Sequence, residues 1–144
     1  MNRDQTVSLA LELHSKGYNC AQAVAGALAR ALGEEGVDLS EEQLFAACEG
    51  LGLGMGDMGG TCGAISGACV VSGLVGSTRN LEAPNSKAAT YAVGRDLLGR
   101  YRDAVGSVTC AQIKGREGGP LLMGCHDCVG TGAGVAFDVL VGEG

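Results

Sequence analysis

Apolar residues recur at intervals of three and four along most of this chain. Near the start, Val7, Ala10, Leu11 and His14 follow this spacing, and Gly17 comes one turn later. Because an α-helix has 3.6 residues per turn, these positions fall on one face of a helix. Glycine is common just past a helix end, so the pattern predicts a first helix that stops at Gly17.

The same period predicts that the rest of the chain is helical. No segment of useful length alternates apolar and polar residues as a half-buried strand would. The sequence therefore predicts an all-α fold, a compact bundle of about six to seven helices in a single domain covering residues 1–144. The later helices are predicted at Asn19 to about Leu32, from Ser40 with Gln43 in capping-box spacing, at Thr61 to about Val75, at Ser86 to Val105, after Thr109, and up to about Val141.

The composition indicates how these helices pack. Aromatic residues make up only 3% of the chain, tryptophan is absent and glycine occurs 26 times. Large rings therefore cannot fill the core, and the helices must approach closely through small side chains. On the helix predicted from Thr61, these are Gly63, Ala64, Gly67 and Ala68, and we expect this face to be buried against a neighbouring helix. A core so poor in aromatic residues gains stability by association, so we also expect a homodimer.

The charge of the chain argues against two classes of partner. The formal net charge is −6 and the pI is near 4.8, whereas nucleic acids and anionic membrane surfaces bind basic proteins. No apolar run reaches the roughly 18–20 residues of a membrane-spanning helix. The first residues, MNRDQTVSLALELHSKG, lack the features of a signal peptide. We therefore expect a cytoplasmic protein without membrane insertion.

Cysteine is the most informative residue type in the composition. In a reducing compartment, seven cysteines suggest metal ligation or redox chemistry before structural disulfides. The odd number also leaves at least one thiol outside any intramolecular pairing. The cysteines are Cys20, Cys48, Cys62, Cys69, Cys110, Cys125 and Cys128.

Three cysteines, Cys20, Cys62 and Cys110, occur in the similar phrases NCAQ, TCGA and TCAQ. In each phrase, an Asn or Thr suited to capping a helix precedes a cysteine in the first helical position. Such a cysteine lies at the positive end of the helix dipole, beside backbone N–H groups without an intrahelical partner, so the thiolate form is favoured. Three such thiolates suit an iron or zinc centre, and the free N–H groups could donate hydrogen bonds to cluster sulfides.

Cys125 and Cys128 form a single CxxC motif, CHDC. A lone CxxC is compatible with half a zinc site, a dithiol redox pair or part of a cluster site. The thioredoxin motif belongs in a βαβ unit, which the helical pattern does not provide. A c-type haem motif would need His where Val129 stands. The three roles stay open, and so does the question of which member of the pair would be a ligand.

The other cysteines and the histidines have structural explanations. Cys48 and Cys69 fall within predicted helices and are expected to be small core residues. His14 is expected in the core or at its boundary. His126 is the better ligand candidate of the two histidines because it follows a candidate cysteine.

The glycine-rich run GLGLGMGDMGG follows no predicted strand, so it does not match a dinucleotide- or phosphate-binding loop. Its Met55 and Met58 are soft donors that could ligate Cu(I), but we favour packing within the loop. No Ser–His–Asp arrangement or paired carboxylates suggest hydrolysis. Whether the protein is an enzyme stays open.

The order of the motifs resembles the C_GCAxxG_C_C family, which is named for redox activity. The matching segments are GYNCAQAV, GGTCGAISGA, TCAQIKG and a late cysteine followed by an apolar helix, and they cover nearly the whole chain. The resemblance implies four functional cysteines, three of which are Cys20, Cys62 and Cys110. Cys125 fits the family's closing pattern better than Cys128, because a valine follows it four residues later. Cys128 and the GTGAG segment depart from that pattern, so Cys128 remains the alternative fourth residue.

A similar domain in split-Soret cytochromes is associated with an iron–sulfur cluster beside haems, whereas this chain lacks a haem motif. The leading hypothesis is a redox protein that binds an iron–sulfur cluster through cysteines at helix N-termini, for electron transfer or redox sensing with an unidentified redox partner protein. Two alternatives stay open. One is a thiol–disulfide redox protein with low-pKa cysteines and no cofactor, and the other is a zinc or other metal-binding module.

Overall fold

Seven helices form within residues 1–142, the part of the chain that the computed structural model describes, together with a 3-10 turn at Glu49–Leu51 and a distorted helical turn at Gly52–Met55. No strand forms within this range, and one isolated antiparallel bridge joins Thr61 and Thr109. The predicted all-α fold and number of helices are confirmed. The helices are α1 (Arg3–Ser15), α2 (Cys20–Glu34), α3 (Glu41–Cys48), α4 (Gly63–Gly76), α5 (Lys87–Val105), α6 (Cys110–Ile113) and α7 (Cys125–Leu140).

Helix α2 lies at the centre of the fold. It packs against α1, α3, α4 and α7, and every residue from 21 to 29 is buried. A helix that is apolar on all sides suits this position, because it has no face to present to water. Even so, none of the helices in the described part of the chain is both long and apolar enough to cross a membrane.

Small residues let the helices approach backbone to backbone. A Cβ on Gly67 of α4 would lie 2.5 Å from the carbonyl oxygen of Ala21 and 2.9 Å from its Cα, so α4 packs directly on the first turn of α2. On α7, a Cβ on Gly132 would lie 2.4 Å from the carbonyl oxygen of Ala64. The predicted burial of the small face of α4 is confirmed for all four of its residues, Gly63, Ala64, Gly67 and Ala68.

One helix boundary and one cap differ from the prediction. Helix α2 does not end at about Leu32 but continues through Gly33 to Glu34, and the left-handed residue that follows it is Gly36 (φ 89°). Glycine stops a helix where the backbone turns left-handed, and Gly33 keeps helical geometry. At the start of α3, the Oγ of Ser40 accepts a hydrogen bond from the N–H of Gln43 at 3.2 Å, which is half of the predicted capping box.

Replacing Gly67 with alanine should destabilise the protein, because the new Cβ would overlap the Ala21 carbonyl and force α4 away from α2. We expect the free energy of unfolding to fall by about 1–3 kcal/mol, as measured by urea denaturation under reducing conditions. Gly67→Leu adds more volume and should cost more.

The matched control is Gly73→Ala in the same helix, where an added Cβ meets nothing within 4 Å. Alanine has the higher helix propensity, so this variant should gain about 0.5–1 kcal/mol. Equal unfolding free energies for the two alanine variants would contradict tight packing of α4 on α2.

Candidate functional site

Four helix N-termini meet around one small cavity, and each brings a cysteine to it. The cavity has a volume of about 150 Å³. Its cysteines are Cys20, Cys62, Cys110 and Cys125, and its other lining residues are His14, Asn19, Leu53, Gly54, Gly63 and Lys114. The fold thus gathers side chains that are spread over most of the sequence.

Cys20 is positioned by the first turn of α2. Asn19 caps this helix as predicted: its Oδ1 accepts from the N–H of Gln22 at 2.8 Å, and the Oε1 of Gln22 accepts from the N–H of Asn19 at 2.9 Å. The side-chain amide of Asn19 also donates to the Glu49 carbonyl at 2.9 Å. These reciprocal bonds fix the backbone on both sides of Cys20.

Cys62 and Cys110 are held side by side by the isolated bridge between Thr61 and Thr109. The N–H of Cys62 donates to a backbone carbonyl just before Thr109 at 2.7 Å, and the N–H of Cys110 donates to the Gly60 carbonyl at 3.0 Å. The two cysteines are therefore brought together before either of their helices begins. This pairing is tertiary, because it joins segments on either side of α4 and α5.

The predicted roles of these threonines are corrected by the bridge. Thr61 does not cap a helix, because Cys62 itself occupies the N-cap position of α4 (φ −55°, ψ 131°). Thr109 occupies the N-cap position of α6, but its side chain makes no capping hydrogen bond. The backbone N–H groups of Cys62 and Cys110 donate their hydrogen bonds to carbonyl groups across the bridge. They are therefore not free to donate to cluster sulfides, as the sequence suggested.

The glycine-rich segment before Cys62 folds tightly against Cys110. Gly54 has a left-handed backbone (φ 56°), and a Cβ there would lie 2.5 Å from the Cβ of Cys110. Leu53, Met55 and Met58 also have positive φ angles of 57°, 65° and 67°. Such angles cost a non-glycine residue on the order of 1 kcal/mol or more and are typical of functional sites. Leu53 lines the cavity, whereas the two methionines are not among its lining residues.

Of the CHDC pair, only Cys125 lines the cavity. It is the first residue of α7, with Gly124 at the N-cap (φ −73°, ψ 158°). A fourth cysteine therefore begins a helix, which the sequence analysis missed because glycine is a weaker cap signal than Asn or Thr. Cys128 lies about one turn further along α7 and is completely buried.

Tyr101 and Cys128 form a buried layer behind Cys62. Tyr101, from α5, is completely buried, and its Oη lies 3.2 Å from the Cys62 Sγ. Cys128 lies beside Cys62, and its thiol donates to the Met123 carbonyl oxygen at 3.9 Å. The Cys62 sulfur thus lines the cavity and also contacts these two buried side chains.

These neighbours lower the pKa of Cys62 to about 6. The interaction with the neighbouring Cys128 thiol is the largest cause, while burial acts in the opposite direction. Hydrogen bonds from Tyr101 and from the backbone N–H of Ala64, together with the positive charge of Lys114, lower the pKa further. The thiolate form is therefore favoured at Cys62 relative to an ordinary cysteine.

Cys20 and Cys110 differ from the prediction that a helix N-terminus by itself favours the thiolate. Burial, followed by the proximity of Cys125 and Cys62, raises the pKa of Cys20 to about 12. Burial and the charge of Cys62 also raise the pKa of Cys110. Desolvation and neighbouring negative charge outweigh the helix dipole at both positions.

Lys114 is a candidate functional residue that the sequence analysis missed. It follows α6 directly and lines the cavity, and its Nζ lies 3.4 Å from the Met123 carbonyl oxygen. Burial by itself lowers the pKa of Lys114, but its interactions with the neighbouring cysteines, that with Cys125 first among them, outweigh burial and raise the pKa. The available signal was a lysine one helical turn after a candidate cysteine, in CAQIK.

The two histidines meet at the edge of the cavity. The rings of His14 and His126 stack with centroids 5.2 Å apart, and their Nδ1 atoms are 2.9 Å apart. Burial and the charges of His126 and Lys114 lower the pKa of His14. This contact joins the end of α1 to the start of α7, beside Cys125. His14 is half-buried, at the boundary of the core as expected.

The remaining cysteines lie away from the cavity. Cys48 is completely buried in the core, as predicted, and Cys69 is half-buried against it. Within residues 1–142, no three cysteine, histidine, aspartate or glutamate side chains are placed so that they could hold one metal ion together. The cavity cysteines therefore surround a space, and their side chains do not converge on one point.

Comparison with protein families identifies the chain. The profile of the C_GCAxxG_C_C family, described as "Putative redox-active protein", matches residues 18–139. The chain belongs to this family, and the resemblance drawn from its motifs is confirmed. Comparisons with curated proteins and with solved structures give no match.

Proposed function

We propose that this member of the C_GCAxxG_C_C family is a redox protein that binds an iron–sulfur cluster in the cysteine-lined cavity and uses it for electron transfer or redox sensing. The ligands are Cys20, Cys62, Cys110 and Cys125. The observation that carries the proposal is that these four cysteines reach one cavity from four helix N-termini. Four cysteine thiolates are the usual ligand set of [2Fe–2S] and [4Fe–4S] clusters.

The donor set fits a cluster better than a single zinc ion. A structural zinc site holds its sulfurs about 2.3 Å from one ion, which brings them close together. The described residues contain no group of three or more ligands arranged in that way. In a [4Fe–4S] cluster each cysteine binds a different iron atom, and in a [2Fe–2S] cluster the four cysteines are divided between two irons, so the sulfurs need not all converge on one ion. Gly54 and Gly63 line the cavity without side chains and leave it room.

An iron–sulfur cluster supplies one-electron chemistry when bound, with a redox protein as the donor or acceptor of the electron. The chain's own residues present sulfur ligands and balance charge. Ligation requires deprotonated sulfurs, and the lowered pKa of Cys62 favours that form. Lys114 places a positive charge on the cavity wall, where it offsets part of the negative charge of the thiolates.

Protein purified without oxygen, or reconstituted with iron and sulfide, should be brown and contain iron and acid-labile sulfide. Serine in place of any one of Cys20, Cys62, Cys110 or Cys125 should remove most of the visible absorption, because each supplies one ligand. Metal and sulfide analysis with an anaerobic absorption spectrum measures both effects.

Cys69→Ser is the matched control, since it removes a thiol that does not line the cavity, and it should keep its iron and sulfide. Cys128→Ser tests the alternative fourth ligand. If Cys128→Ser loses its iron and sulfide while Cys125→Ser keeps them, the fourth ligand is Cys128 and not Cys125. A wild-type protein that stays colourless and iron-free after reconstitution would refute cluster binding, and bound zinc without visible absorption would favour a zinc module.

Replacing Lys114 with methionine should shift the midpoint potential to a more negative value. Reduction adds negative charge to the cavity, and the lysine ammonium stabilises that charge. A redox titration followed by visible absorption measures the shift. Lys87→Met is the control, because this lysine begins α5 and does not line the cavity. An equal shift in both variants would show that only net charge matters.

Two thiol pairs favour a second candidate function, thiol–disulfide exchange. Cys62 lies beside Cys128, and Cys20 lies beside Cys125. The Cys62 thiolate would attack a low-molecular-weight disulfide and release one thiolate. Cys128 would then attack the mixed disulfide, release the second thiol and leave a Cys62–Cys128 disulfide. The cysteine pair loses two electrons, and the small disulfide gains them.

Oxidised glutathione added to metal-free protein should give this Cys62–Cys128 disulfide if the second candidate is correct, and peptide mapping by mass spectrometry would identify it. Cys128→Ser should leave Cys62 as a mixed disulfide with glutathione, while the control Cys48→Ser should leave the pairing unchanged. A Cys62 that stays reduced in the wild type would contradict exchange chemistry at this pair.

A further inference from the structure

Tyr101 places its hydroxyl group directly against a proposed ligand. Within the described residues it is the largest side chain that is completely buried. It comes from the last turns of α5, a helix without cysteine, and its Oη lies 3.2 Å from the Cys62 Sγ. A buried hydroxyl without a hydrogen-bond partner destabilises a fold. The sulfur of Cys62 provides that partner for Tyr101.

The direction of this hydrogen bond follows from the chemistry of ligation. A cysteine that binds metal is a thiolate and has no proton to donate. The tyrosine hydroxyl is then the donor, and the Cys62 sulfur is the acceptor. Tyr101 and the neighbouring Cys128 are both inaccessible to solvent. The bond is therefore formed away from water, where it is electrostatically stronger.

We propose that Tyr101 is a positioning residue of the redox centre: its hydroxyl holds the Cys62 sulfur toward the cavity and raises the reduction potential of a cluster bound there. The proposal rests on the cluster function argued above. Hydrogen bonds to the sulfurs help to set the potential of a cluster. A donor stabilises the reduced cluster more than the oxidised one, because the reduced cluster carries more negative charge.

The test is Tyr101→Phe, which removes only the hydroxyl oxygen and its proton. Reconstituted protein should keep its iron and sulfide, and its midpoint potential should shift to a more negative value in a dye-mediated redox titration. Tyr91→Phe is the matched control, since Tyr91 lies on the same helix with 60% of its surface exposed. Its potential should equal that of the wild type.

Strengthening the donor should have the opposite effect. A 3-fluorotyrosine at position 101 has a more acidic hydroxyl, and its cluster should have a more positive potential than the wild type. This second variant keeps the ring and the hydroxyl, so it tests the proposal even if Tyr101→Phe folds poorly. Unchanged potentials in variants that keep a full complement of iron and sulfide would overturn the proposal.

A measurement on reduced, metal-free protein separates this proposal from the cluster function. The hydrogen bond connects Tyr101 to the Cys62–Cys128 pair, so Tyr101→Phe should alter the S–H stretching region of the Raman spectrum, while Tyr91→Phe should not. An unaltered S–H stretching region in Tyr101→Phe would contradict the contact between Tyr101 and Cys62. If the wild type takes up no cluster but the Raman change is present, the cluster function fails while the link between Tyr101 and Cys62 stands.

Discussion

The close approach of α2 and α4 is the constraint on which the cysteine cavity depends. Gly63 and Gly67 bring α4 against the backbone of Ala21, and a Cβ on Gly63 would lie only 3.3 Å from the Cβ of Cys20. A larger residue at either glycine would move the start of α4, and Cys62 with it, away from Cys20. A glycine of α7 makes the same kind of contact with α4 from another side. The small residues therefore determine the geometry of the site as well as the packing of the core.

The cysteines of the cavity differ in their electrostatic environment. Cys62 has hydrogen-bond donors behind it and a pKa lowered to about 6, whereas burial and neighbouring sulfurs raise the pKa of Cys20 to about 12. Crowding thiols together in a poorly solvated space disfavours charging all of them. A metal centre would have to displace the remaining protons, so its binding is coupled to proton release. Lys114 is the cationic side chain that offsets this accumulation of negative charge.

Much of the fold was predictable because its signals are local. Helical periodicity needs only neighbouring residues, and Asn19 caps α2 with the two reciprocal bonds that its spacing to Gln22 indicates. The buried face of α4 was also predictable, because a row of glycine and alanine serves close packing. The predictions failed where a distant segment intervenes. Thr61 has the chemistry of a cap, but Thr109 pairs with its backbone instead.

For the candidate site, the sequence was enough to predict cysteines at or beside helix starts, because that placement depends on local backbone preferences. Which of these cysteines share a cavity depends on tertiary packing. Cys125 joins the other three at the start of α7, whereas Cys128 lies beside Cys62 in the core, because residues three apart on a helix share a face but stand about one turn apart along its axis. Tertiary structure also brought in Lys114 and Tyr101, whose roles come from burial and distance to sulfur. Neither property exists until helices far apart in the chain have packed together.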